Sequence, residues 1–284
     1  MAPEIQEKLM ALANTAWVAV LFIFIAYRLN FFNQKKEGVF AKLNYQDVLG
    51  AFTIFGMVQL LVVPVFALLY LKFFYHDILL DPANLREETQ AWIGIWGNLL
   101  LLSVIGWYSY LNWQKVSSFF GYEFQPRNFF LGAATWLVCM PIASTVGEMI
   151  NLVLGFFRET AVDQMPVQHL KQMSAHPSLF FILAFIIIFV VPFVEELLFR
   201  GFLQTWLKQH MGLKGAILFT SAIFALFHFS WGQGLDNILF LSILFIVSCF
   251  MGFVYDRQKD LLASIGLHTA FNAVTTLSIF LGYT

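Results

Sequence analysis

Six side chains in the last third of the chain are of types that do chemistry, and their spacing lets them do it together. Glu195 and Glu196 are adjacent, and Arg200 follows Glu196 by four residues. His228 closes the run Phe224-Ala225-Leu226-Phe227-His228, and His268 precedes Asn272 by four. A carboxylate near an imidazole can hold a water and take its proton. An imidazole and a carboxamide stacked on one helix face offer hydrogen-bond donors to a developing oxyanion. Adjacent helical residues point about 100° apart, so the two glutamates serve different partners. Glu before Arg at a spacing of four is the favourable order for an ion pair. That assigns Glu196 to Arg200 and leaves Glu195 to face His228. No serine or cysteine sits at an obvious matched position; Ser230 lies close to His228 but has no evident base.

These groups lie in runs that are otherwise apolar. The 284 residues are 60% hydrophobic and 12% charged, with a mean hydropathy of +0.74. A soluble domain is nearer a quarter charged and must show much of its surface to water. Lipid removes that conflict, and the 34 Phe and 8 Trp suit lipid contact and the interfacial belts. A net charge of −1 gives no basis for binding nucleic acid. Cys139 and Cys249 each lie in an apolar run and form neither a metal spacing nor a disulfide framework.

A helix needs about 20 mostly apolar residues to cross a bilayer. Eight stretches qualify: 10–27, 49–74, 92–113, 128–157, 178–209, 213–229, 237–255 and 261–281. The expected fold is therefore all-α, a polytopic transmembrane bundle of about eight spans. The first stretch is read as a retained span, because no small-x-small cleavage site closes it. The break from Arg158 to Pro177 divides an N-terminal half, 1–157, from a C-terminal half, 177–284, with about four spans in each. The N-terminal half carries no motif. With eight spans, eleven Lys and Arg flank the loops after odd-numbered spans and five lie on the other side. The positive-inside rule then puts the even loops and both termini outside.

Depth brings the polar groups together. The turn between the fifth and sixth spans falls near His210 to Leu213, with Glu195 fifteen residues before His210 and His228 fifteen after Leu213. In an antiparallel hairpin equal counts mean equal height, so carboxylate and imidazole can meet. Pro192, three residues before Glu195, frees a carbonyl beside the glutamates. Glu148 and Asn151 in the fourth span are read as hydrogen-bonding between helices rather than as part of the site. Zinc stays open: Glu and His are legitimate ligands, although the His-Glu-x-x-His pattern is absent.

Glu195-Glu196-x-x-x-Arg200, Phe224-x-x-x-His228 and His268-x-x-x-Asn272, in this order on apolar helices, resemble the three motifs of the CPBP family. These are the CAAX-protease and bacteriocin-processing intramembrane proteins, which include the prenyl-protein endopeptidases. The resemblance runs from about Pro177 to the C-terminus. It implies an intramembrane endopeptidase of the glutamate type. In it Glu195 and His228 activate the attacking water, His268 and Asn272 form the oxyanion hole, and Glu196 and Arg200 shape the site. No cofactor is implied, with zinc left open. The implied partners are the bilayer and a membrane-associated peptide or protein, with or without a lipid. The implied location is the cytoplasmic membrane of a prokaryote. Two other readings use the same residues. One is a proton-coupled transporter, which calls for an inverted repeat that the sequence does not show. The other is a non-catalytic scaffold or immunity protein of the same fold.

Overall fold

The computed structural model describes residues 3–33, 40–75, 87–121, 125–157, 168, 170, 171, 173 and 176–282. Among them the regular structure is entirely helical. The helices are α1 (Pro3–Arg28), α2 (Tyr45–Met57), α3 (Val63–Tyr75), α4 (Glu87–Leu111), α5 (Trp113–Val116), α6 (Pro126–Leu154), α7 (Pro177–Phe185), α8 (Val191–Glu196), α9 (Thr205–Leu226), α10 (Asp236–Gln258) and α11 (Leu261–Phe280). Helices α2 and α3 are one span joined by a π-helical turn, Val58–Val62. The segments Ile186–Val190 and Leu197–Gln204 are also π-helical, so α7, α8 and the start of α9 form one continuous span that changes register twice.

Seven helices among the described residues are long and apolar enough to cross a membrane, and the chain is an integral membrane protein. The longest, Pro177–Leu226, is two crossings. Gly212 inside it has φ 72° and ψ 177°, a left-handed backbone that only glycine adopts without strain. The chain reverses there: the Arg200 guanidinium stands 4.7 Å over the Phe224 ring, whereas a straight helix would separate them by roughly 36 Å. Divided at Gly212, the described residues hold the eight crossings expected from the apolar runs.

One boundary moves. The sixth span, expected to run to residue 229, stops at Leu226, and His228 lies in the turn beyond it. From residue 213 to 226 the helix is only about 21 Å long at 1.5 Å per residue. The reason is local. The His228 imidazole Nδ1–H donates to the Phe224 carbonyl at 2.9 Å, taking an acceptor that the ending helix leaves open. Asn237 then pins the loop, accepting from the Ser230 amide at 3.0 Å and donating to its carbonyl at 2.7 Å.

Packing follows the small residues. A Cβ on Gly132 would sit 1.8 Å from the Ala263 carbonyl oxygen, and one on Gly266 would sit 2.0 Å from that of Phe129. Helices α6 and α11 therefore touch backbone to backbone, as small residues permit in membranes. The largest apolar cluster joins Leu101, Ile105 and Phe119 of the first half to Leu198, Phe199 and Phe202 of the second.

The two ends of the bundle differ in charge. At one end Lys115 pairs with Asp47 at 2.6 Å, and Lys208 and Lys259 share Asp256 at 2.5 and 2.8 Å. Beside them Asp260 caps α11 through the Leu262 amide and accepts from Asn128 at 2.8 Å. Burial still pushes the Asp260 carboxyl above its ordinary value. At the other end His176 faces Glu88 at 3.1 Å, and Phe180 packs on Phe280 with ring centroids 5.4 Å apart.

Candidate active site

The fifth span carries both glutamates in the short α-helical stretch α8, between its two π-helical turns. Such turns recur at functional sites because they rotate the side chains that follow. Glu196 is fully buried and turns into the bundle. Its Oε1 accepts from the Arg200 Nη1 at 2.8 Å and from the His268 Nδ1 at 2.8 Å. Arg200, also fully buried, donates from Nη2 to the Ser248 hydroxyl at 2.7 Å. A buried guanidinium needs this much company, because removing it from water is expensive unless its N–H groups are met. Sequence spacing gives the Glu196–Arg200 pair. It gives no sign of Ser248, a lone hydroxyl in an apolar helix that looks like any other packing residue.

Glu195 faces the other way, into a cavity of about 450 Å³. Its Oε2 is buried and has no hydrogen-bond partner, and lies 3.8 Å from the His268 Nε2. His228, His268 and Asn272 line the same cavity. The four residues singled out from the sequence for water activation and oxyanion binding thus share one wall, contributed by α8, the turn after α9, and α11. Glu196 and Arg200 lie behind it. Glu148 and Asn151 do not reach it.

Hydrogen bonds fix the tautomers. His228 donates from Nδ1 to a carbonyl, and His268 donates from Nδ1 to the Glu196 carboxylate. In each neutral ring Nε2 is then left as an acceptor. His268 has a second role that its position in the sequence does not show, as it touches both glutamates. Asn272 is oriented by the backbone. Val191 donates its amide to the Ile186 carbonyl in the π register. The next residue is Pro192, which has no amide to offer Ile187. The Asn272 carboxamide fills that gap, donating to the Ile187 carbonyl at 2.8 Å. The proline thus frees a carbonyl, as expected, and the carbonyl sets the face of Asn272. One of the two carboxamide hydrogens stays available.

The rest of the cavity is mostly apolar, with Gln90 and Asn98 of α4 and Thr275 and Thr276 of α11 as uncharged polar points. Sequence reading passed over these four. For three of them the signal was present: Gln90, Gly94 and Asn98, like His268, Asn272 and Thr276, recur every four residues and so form single stripes. Through α4 the N-terminal half supplies part of the wall. Among the described residues, no group of three or more His, Cys, Asp or Glu is arranged to hold a metal ion.

No curated protein and no solved structure matches the chain. A family model does match, over the segment that carries Glu195, Glu196, Arg200, His228, His268 and Asn272. Residues 177–274 are similar to the family described as Type II CAAX prenyl endopeptidase Rce1-like, consistent with the CPBP resemblance of the motifs.

Proposed function

We propose that the protein is an intramembrane endopeptidase of the glutamate type, hydrolysing a peptide bond in a membrane-associated peptide or protein. The observation that carries this reading is the single cavity onto which Glu195, His228, His268 and Asn272 all open. A water between the Glu195 carboxylate and the His228 Nε2 gives a proton to the carboxylate as its oxygen attacks the scissile carbonyl carbon. The oxyanion that forms is met by the free N–H of Asn272. It also faces the His268 ring, which lines the same wall. Glu195 then passes its proton to the departing amide nitrogen, and the C–N bond breaks. Glu196 and Arg200 hold His268 in place. The largely apolar wall suits an uncharged stretch of substrate, with or without a lipid. We place the protein in the cytoplasmic membrane of a prokaryote.

The test is a membrane-associated peptide library incubated with purified protein. Glu195→Gln and His228→Ala are each expected to lower the rate by about 10²–10⁴-fold, the usual worth of a positioned acid or base, with the fold intact by thermal unfolding. Hydrolysis that survives both substitutions overturns the mechanism. Chelator treatment is expected to leave the rate unchanged; loss restored by added zinc would make the enzyme metal-dependent instead.

A further inference from the structure

The cavity is not centred between the two ends of the bundle. On α11, His268 lies about 10 Å from the helix start at Leu261, and Thr276, also on the wall, lies about 22 Å from it. On α4 the wall residues Gln90 and Gly94 belong to the first two turns, next to the Glu88 that faces His176. Met173, from the stretch between the fourth and fifth spans, adds to the same side. Toward the basic end the wall stops at Glu195, His268 and Met251. Below these, the fully buried Glu196 and Arg200 and the buried Tyr255 close the bundle.

The two ends can be told apart by charge. The end that closes the cavity carries the loops after odd-numbered spans. It holds Lys42, Lys115, Arg127, Lys208, Lys214 and Lys259 among others, even with the buried Arg200 left out. Among the described residues, the end toward which the cavity extends holds three: Lys8, Lys72 and Lys171. Cross-helix polar contacts among the described residues agree with the partition. Arg257 donates to the Asn33 carbonyl at 3.3 Å and Asn128 donates to Asp260 on the basic side, while Glu88 meets His176 on the other. Loops rich in Lys and Arg stay in the cytoplasm.

We infer that the cavity faces away from the cytoplasm, so that its substrate is a polypeptide presented on the non-cytoplasmic face of the membrane. This rests on the peptidase reading for the word substrate, but the direction of the cavity stands apart from any activity. The direction is tested by cysteine labelling with a membrane-impermeant maleimide in intact and in permeabilised cells. Trp231→Cys and Lys214→Cys place the probe on exposed residues of opposite ends, and Gln90→Cys places it on the cavity wall. The wild-type chain is the blank, since Cys139 is buried and Cys249 half-buried.

Trp231→Cys and Gln90→Cys are expected to label in intact cells, and Lys214→Cys only after permeabilisation. The reverse pattern overturns the proposal, as does a Gln90→Cys that labels only in permeabilised cells. Should Gln90→Cys fail to fold, the two surface positions still decide the orientation. A second measurement separates orientation from chemistry. A charged, fluorescence-quenched peptide library that cannot cross the membrane is expected to be cut by intact cells and not by inverted vesicles, with Glu195→Gln cells as blank. Cleavage in inverted vesicles alone overturns the direction. Outward labelling with cleavage on neither side upholds the direction and counts against the peptidase.

Discussion

Glu196 accepts from both Arg200 and His268 on one oxygen, while the buried Oε2 of its neighbour Glu195 accepts from nothing. Two adjacent residues of the same type are thereby put to different uses, one in holding the bundle and one free to meet a water. Their substitutions should separate accordingly. Glu196→Gln leaves the buried Arg200 charge without its counter-ion, which costs about 3–5 kcal/mol. It is expected to lower the thermal unfolding midpoint of the detergent-solubilised protein sharply. Glu195→Gln changes a carboxylate whose buried Oε2 accepts no hydrogen bond, and is expected to leave that midpoint nearly unchanged. Equal losses of stability would show that the two glutamates share the structural role. This division was legible in the sequence, because a 100° step and a spacing of four fix which glutamate Arg200 can reach. The contact of His268 with both was not. It depends on how α11 is rotated against the fifth span, and no local spacing encodes that.

Helices α6 and α11 approach so closely at Gly132 and Gly266 that neither tolerates a Cβ without moving the other's backbone. His268 and Asn272 ride on α11, so the gap between the two helices is also a coordinate of the site. Gly132→Ala is expected to destabilise the protein by about 1–3 kcal/mol, the usual cost of overpacking, and to depress hydrolysis more than folding. The comparison is of unfolding midpoint with rate in the same preparation. A variant with lowered midpoint but unchanged rate per folded molecule would show that the site does not feel this contact. The spans were legible because crossing lipid demands long apolar runs. The end of the sixth at Leu226 was not, since Phe227, Phe229 and Trp231 keep the run apolar after the helix has stopped. The π-helical turns left no trace either, apart from Pro192, because their register is decided by packing between helices and not by residue type.

Across the whole molecule the motif-bearing segment, residues 177–274, does not enclose its own interior. Leu198, Phe199 and Phe202 bury themselves against Leu101, Ile105 and Phe119, and α4 walls the cavity. The chain 177–284 expressed alone is therefore expected to aggregate or be degraded. Co-expression with 1–157 is expected to restore a protein that elutes as one species in detergent. A stable 177–284 on its own would show that the N-terminal half is an accessory. Nothing in the first half's sequence announces this dependence, since a core shared by two segments looks in each of them like ordinary apolar helix.

On the proposed mechanism, the short sixth helix gives the bilayer itself a part in the chemistry. Between residues 213 and 226 it spans about 21 Å, against a hydrocarbon thickness of about 30 Å. His228 and the exposed Trp231 lie just past its end. Acyl chains beside such a helix must compress or leave a dimple, and a dimple brings water down toward the imidazole, where the proposed hydrolysis would consume it. Lipid chain length then becomes a control on rate. Reconstitution in phosphatidylcholines of increasing acyl length is expected to slow turnover as the membrane thickens, at constant substrate and constant folded fraction. A rate indifferent to thickness would mean that water reaches Glu195 by another route.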